Sequence, residues 1–216
     1  MKTAWLAGAS GMVGQQLLQQ MLDDSALSVV ALGRRRVERT HERLLQVQLD
    51  FTDATAFDAL PAPDLALCSL GTTRKKAGSA VAFRAVDFDA VRTFAQAARR
   101  RGALTFLHVS SIGANPRSRT LYTAVKGEIE EAVAGLGFDS CYAFRPSILD
   151  GRRAESRPLE HLGLMITRVL APVLGPYRPT PATAVAQAML AAAREPRPGA
   201  HIVEAGTILA ASGAAL

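Results

Sequence analysis

The sequence predicts an α/β fold built on a doubly wound, mostly parallel sheet. Three observations lead there. Short apolar runs alternate along the chain with longer segments of helical periodicity. Several of these runs are apolar at every position, as strands covered by helices on both faces must be. The first run also leads straight into a glycine-rich turn that opens a helix. Alternation of this kind gives parallel strands joined by right-handed crossovers.

Strands are expected at about Thr3–Ala7, Ser28–Leu32, Leu44–Leu49, Leu65–Ser69, Thr105–Ser110 and Ser140–Arg145, with a late one near His201–Ala205. Helices are expected between them. Gly11–Asp23 follows the first strand. Val81–Arg100 carries Phe83, Val86, Ala90, Phe94 and Ala97 at helical spacing. Leu121–Leu136 repeats the pattern with Leu121, Val125, Ile129, Ala132, Val133 and Leu136, and Gly135 and Gly137 stop it. Leu159–Leu170 ends at Pro172, and Ala182–Arg194 ends before Pro196. Gly175–Pro181 reads as a loop, and the tail after Ser212 as loose.

A chain of 216 residues, 49% apolar, suits one domain with one large core, and residues from about 146 to 216 are expected to add a small substrate-side region. Charged residues make up 20%, too few for a disordered chain. Cys68 and Cys141 lie in apolar runs at a spacing that fits neither a disulfide framework nor a zinc site, so two buried thiols and a reducing cytoplasm are expected. His41, His108, His161 and His201 are scattered; no metal is expected, and His108 reads as a hydrogen-bonded core residue. The apolar N-terminal run is short and broken by glycine, unlike a signal peptide. No run approaches the roughly 18 residues of a membrane helix. The net charge of +6 and pI of about 9.9 come from short basic groups with few aromatics between them, which disfavours a nucleic-acid surface.

The strongest motif is Gly8-Ala-Ser-Gly11-Met-Val-Gly14, placed between a strand and a helix. Glycines there permit a tight turn, close backbone approach to a pyrophosphate, and close helix–strand packing. The free N–H groups and dipole of the helix N-terminus then face the phosphates. This is the arrangement of an NAD(P)-binding Rossmann fold. About 20 residues past the turn, an NAD site usually places an acid at the end of the second strand. Here that strand ends Leu32-Gly33-Arg34-Arg35. Guanidinium groups can grip a 2′-phosphate where a carboxylate would bind ribose hydroxyls, so NADP(H) is favoured over NAD(H). Asp50, after the third strand, is placed either for the adenine amino group or as a turn residue.

The fifth strand ends His108-Val109-Ser110-Ser111, and Tyr122 and Lys126 follow one helical turn apart. Carbonyl reduction needs a proton donor beside the developing alkoxide. Tyrosine, with an ordinary pKa of about 10, serves better when an ammonium favours its phenolate. A serine hydroxyl can hold the substrate oxygen, and lysine can also bind ribose. Alternating strand geometry points one serine into the site and the other away; Ser111 is the expected catalytic partner of Tyr122 and Lys126.

These motifs resemble the short-chain dehydrogenase/reductase superfamily. Ser69–Gly78, Val109–Asn115, Leu121–Glu130, Phe144–Leu149 and Glu155–Pro158 together resemble its atypical subgroup, the one that includes the human HIV Tat-interacting oxidoreductase. The resemblance implies that Gly8, Ser10, Gly11, Met12 and Val13 line the pyrophosphate and that Arg34 and Arg35 hold the 2′-phosphate. It implies that Asp50 and Phe51 flank adenine, that Leu70, Gly71 and Thr72 pass beneath the cofactor, and that Pro146 and Ile148 border the nicotinamide. Ser110, Tyr122 and Lys126 would also touch the cofactor. Arg145, Glu155, Ser156 and Arg157 would edge the substrate, with a structural ion pair as the other reading of Arg145. The short C-terminal region implies a small or open pocket. The expected activity is hydride transfer between NADP(H) and a small carbonyl or alcohol substrate. The alternative is a cofactor-gated regulator whose loops around Arg74–Gly78 and Arg117–Thr120 are read by a protein partner. A homodimer is compatible with either.

Overall fold

The computed structural model describes residues 1–150 and 178–212. The apolar runs become β1 (Lys2–Ala7), β2 (Leu27–Gly33), β3 (Leu44–Gln48), β4 (Leu65–Cys68), β5 (Thr105–Val109) and β6 (Ser140–Arg145). A short pair, β7 (Leu149–Asp150) and β8 (Thr180–Pro181), precedes the late strand β9 (Gly199–Glu204). Seven of these form one sheet in the order β3-β2-β1-β4-β5-β6-β9, and every pairing is parallel. The chain builds outward from β1 to β3, then returns to place β4 on the other side of β1. Such a reversal opens a crevice at the carboxyl ends of the strands, where open α/β sheets bind ligands.

Among the described residues the α-helices are α1 (Met12–Asp23), α2 (Arg74–Ala77), α3 (Ala80–Arg84), α4 (Val91–Arg100), α5 (Leu121–Ala134), α6 (Ala182–Arg194) and α7 (Ala205–Ala211). Strand alternation sorts the core into two layers. In β1, Ala4 and Leu6 face α1 and α6 and pack with Leu17, Met21, Val185 and Met189. Trp5 and Ala7 face the other way, onto Phe57, Phe94, Phe106, Ile129 and Val133. The Trp5 indole N–H donates to the Pro61 carbonyl at 2.9 Å, so the ring is buried with its polar atom satisfied.

The expected Val81–Arg100 helix is interrupted. Between α3 and α4, Ala85–Ala90 forms a π-helical segment. Such widened turns concentrate at functional sites, and this one carries the fully buried Asp87. α2, α7 and the β7–β8 pair were not legible as elements, being too short to show a period. The helix expected at Leu159–Leu170 and part of the loop expected at Gly175–Pro181 fall outside the described residues, as does the tail after Ser212.

Candidate functional site

β1 delivers the chain to Gly8, whose φ of 88° is a conformation that only glycine adopts without strain. The Gly11 N–H donates to the Gly8 carbonyl at 3.0 Å and closes the turn. A Cβ at Gly14 would stand 2.0 Å from the Gly8 oxygen, and one at Gly8 would stand 2.8 Å from the Ser69 carbonyl carbon. The Ser69 hydroxyl meets the Ala7 and Gly8 carbonyls at 3.0 and 3.1 Å, fastening the end of β4 to the turn. At Gly11 the nearest atom to a Cβ would be 3.4 Å away, so crowding within the chain is mild there. Gly11 is also the N-cap of α1 and offers no side chain to it, and no acid lies in the first turn. The opening N–H groups of α1 are therefore left for an anion, and a dinucleotide's pyrophosphate fits them. Val13 itself is buried in the core and offers backbone alone.

Beyond β2, Arg34, Arg35 and Arg36 are exposed, and among the described residues none of them has an ion-pair partner. A small depression beside the glycine turn is lined by Ser10, Gly33, Arg35, Arg36 and Gln46. Arg35 and Arg36 contribute to this lining and Arg34, the residue that leaves β2, does not. The glutamines of β3 set this geometry. Gln46 bonds both backbone groups of Val37 and the Arg39 carbonyl, while the Gln48 amide donates to the Arg34 carbonyl. Asp50 accepts from the Thr52 N–H at 3.0 Å, the turn role that was its alternative. Phe51 turns its ring into the core. The ring is buried 6.2 Å from both Phe57 and Phe94, because an aromatic gains more from that cluster than from the surface.

At the other side of β1, α5 carries Tyr122 and Lys126. Tyr122 is 39% exposed, with its ring 5.6 Å from Phe83. Lys126 is 4% exposed, and its Nζ lies 2.8 Å from Asp87 Oδ1 and 3.5 Å from the Val109 carbonyl. The second Asp87 oxygen accepts from the Thr72 N–H at 2.8 Å. This bond draws the Leu70–Thr72 segment over the pair, so that a Cβ on Gly71 would stand 3.4 Å from Asp87 Oδ1 and 3.7 Å from Lys126 Nζ. Burial alone would lower the Lys126 pKa; the adjacent Asp87 carboxylate, with Tyr122, outweighs it and holds the ammonium above its ordinary range. Below the pair, His108 is buried and its Nε2 lacks a hydrogen-bond partner, which corrects the hydrogen-bonded reading at that atom. Burial, aided by Lys126, pushes its pKa down to about 3 and keeps it neutral. Burial pushes the Cys68 thiol up to about 12, which leaves it inert.

The two serines part company. The Ser110 hydroxyl donates to Glu130 and is 3% exposed, and Ser111 is 9% exposed. Ser111 makes a weak bond of 3.3 Å to the Ile112 carbonyl. Glu130 is also gripped by Arg145, at 3.0 Å through Nε and 2.6 Å through Nη2, while Nη1 reaches Glu204 at 3.0 Å. The ion-pair alternative for Arg145 is thus the observed one, and Glu130 holds its pKa above the ordinary value. Pro146 is buried, and its carbonyl accepts from the Ile112 N–H at 2.9 Å; Ile148 is exposed. Glu155, Ser156 and Arg157 lie outside the described residues. Sequence reasoning missed Asp87 and Glu130. The available signal was an acid on the inward stripe of each helix, four residues past Phe83 and four past Lys126.

Residues 8–138 match the model of a family described as NAD(P)H-binding. Protein HTATIP2 of Rattus norvegicus is 40% identical over 166 residues, covering 74% of this chain and 68% of its own length. A protein of Emericella nidulans named fmp52, mitochondrial, is 34% identical over 178 residues, covering 79% and 75%. Among solved structures, the Bordetella bronchiseptica enzyme WbmH in complex with NAD+ superposes with a TM-score of 0.73 at 18% identity, over 96% of this chain and 76% of that one. A UDP-N-acetylglucosamine 4-epimerase from Methanobrevibacter ruminantium superposes with a TM-score of 0.70 at 16% identity, over 94% and 76%. The fungal names overturn the cytoplasmic expectation. Buried free thiols are not confined to cytoplasmic proteins.

Proposed function

The chain belongs to the NAD(P)H-binding family, in the atypical short-chain dehydrogenase/reductase group, and on that premise we propose that it is an NADP(H)-dependent oxidoreductase acting on a carbonyl or alcohol carbon. The observation that carries the reading is the half-exposed Tyr122 one helical turn from an ammonium locked by Asp87. The preference for NADP(H) rests on Arg35 and Arg36 in the depression beside Ser10, with no acid at the end of β2.

When bound, the reduced nicotinamide supplies a hydride to the carbonyl carbon. Tyr122 gives its phenolic proton to the carbonyl oxygen as negative charge develops there. The Lys126 ammonium stabilises the phenolate left behind, and Asp87 fixes that ammonium in place. Ser111 donates to the substrate oxygen, since its hydroxyl has no strong partner in the fold, whereas Ser110 is committed to Glu130. In the oxidation direction the proton moves the opposite way, from the alcohol to the Tyr122 phenolate.

Calorimetric titration with NADPH and NADH tests the cofactor. Arg35→Ala/Arg36→Ala should weaken NADPH binding by about 10- to 100-fold, the size of one to two charge-assisted bonds, and leave NADH unchanged. Equal weakening of both, or tighter NADH binding by the parent, refutes the preference. Turnover unaltered by Tyr122→Phe refutes the mechanism.

A further inference from the structure

Two segments at the carboxyl edge of the sheet carry cations that neither the cofactor nor the proton step uses. One is α2, with Arg74, Lys75 and Lys76; the other is the loop before α5, with Arg117 and Arg119. All five are exposed, and among the described residues none is in an ion pair. Neither stretch, 69–80 or 110–124, contains an aspartate or glutamate. Both are moored to the reacting centre. The Thr72 N–H holds the first to Asp87, and Phe83 on the following helix packs on Tyr122. The Asn115 N–H donates to the Thr123 carbonyl at 3.0 Å, and Pro116 lies so close over α5 that a Cβ on Gly127 would meet its nitrogen at 2.2 Å. The depression lined by Arg35 and Arg36 is on the far side of β1, and none of these five cations is in its lining.

We propose that the site selects a carbonyl compound bearing a carboxylate or phosphate, with the anionic group held by the Arg74–Lys76 and Arg117/Arg119 rim and the carbonyl at Tyr122. This rests on the oxidoreductase reading above. The redox step is unchanged: the carbonyl carbon accepts a hydride, the oxygen accepts the Tyr122 proton, and the anionic group does not react. A rim of one sign also concentrates its ligand and speeds encounter, increasingly so at low salt.

The test uses matched pairs: phenylglyoxylate against its methyl ester, and dihydroxyacetone phosphate against dihydroxyacetone. Each is offered to NADPH-loaded protein, with binding read from the fluorescence of bound NADPH and turnover from its oxidation. The expected result is at least a tenfold advantage in affinity or kcat/KM for the charged member of one or both pairs. That advantage should shrink with added salt. It should be lost in Arg74→Gln/Lys75→Gln/Lys76→Gln or in Arg117→Gln/Arg119→Gln, with NADPH affinity unchanged in both variants. Which pair responds separates carboxylate from phosphate. Equal treatment of charged and neutral members, failure of all four to bind, or an advantage that survives both variants overturns the proposal while NADPH binding stands. Variants that lose NADPH affinity in step would assign the rim to the cofactor and also overturn it. Absence of NADPH binding by the parent protein would instead fail the underlying reading, and the proposal with it.

Discussion

Replacing Asp87 with asparagine isolates the charge at the heart of the site. The side chain keeps its size and an acceptor for the Thr72 N–H, but Lys126, 4% exposed, loses its counter-charge. Removing one partner of a buried ion pair costs about 3–5 kcal/mol, and the retained acceptor places this change near the lower figure. The pH dependence gives a sharper signature. In the parent protein the Lys126 pKa is raised, so its stabilisation is complete below the ordinary lysine pKa and is lost only as pH rises through the raised value. Between pH 6 and 9 it contributes no slope. In Asp87→Asn burial dominates and the pKa falls below the unfolded value, so the unfolded state binds more protons. Stability should then increase with pH, by up to about 1.4 kcal/mol per unit, over the interval between the two pKa values. Urea unfolding at pH 6, 7.5 and 9 measures both effects. With a slope of about 2–3 kcal/mol per molar urea, the midpoint should fall by about 1 M or more at pH 7.5 and partly recover at pH 9. Asp87→Asn/Lys126→Met should recover most of the loss, because an apolar substitute removes the stranded charge. A loss under about 1 kcal/mol, or one that does not vary with pH, would refute the argument.

Gly14→Ala should abolish cofactor binding and destabilise the fold, because its Cβ would strike the Gly8 oxygen, whereas Gly11→Ala should be far milder for stability; thermal melts with and without NADPH compare them. His108, with its pKa pushed down to about 3, supports the fold fully above pH 6.5 and progressively less as pH falls from there. His108→Leu should therefore flatten the decline in unfolding free energy between pH 6.5 and 4.5 by about 1.4 kcal/mol per unit, and an unchanged decline would contradict the assignment. Ser110→Ala should cost about 1.5–3 kcal/mol by removing a hydrogen bond to the Glu130 carboxylate while sparing turnover. Ser111→Ala should lower turnover about 10- to 1000-fold with little effect on stability, and the reverse pattern would exchange their roles.

Much of the frame was legible because local chemistry dictates it. The glycine turn announces itself through spacing, and the all-apolar runs at Ala4–Ala7 and Leu65–Cys68 are too short for helices and read as buried strands. The charged interior was harder to read. Asp87 sits where Val86 and Ala90 were expected to mark the inward stripe, and its partner is 39 positions away on another helix. Glu130 likewise looks like ordinary helix-surface charge until Arg145 arrives from β6. Arg34, Arg35 and Arg36 look alike in the sequence, and the bonds that hold their backbone segment come from Gln46 and Gln48 on the neighbouring strand. Pairings that span distant segments carry no periodicity, and their energetic logic appears once the helices are docked.

The reversal of direction at β1 has a consequence for how such a protein can diversify. On the function proposed above, the loop that would distinguish one dinucleotide from another grows from β2, while Tyr122 and the two cationic segments follow β4 and β5. The two sets have β1 and its glycine turn as common ground and are otherwise built from separate halves of the chain. Descendants of this sequence can therefore exchange their source of reducing power without disturbing what they reduce, or acquire a new substrate while keeping the old cofactor. Mutations in the two halves should combine additively, and recombination within the short segment between Gly8 and Gly14 should be the join that neither half tolerates.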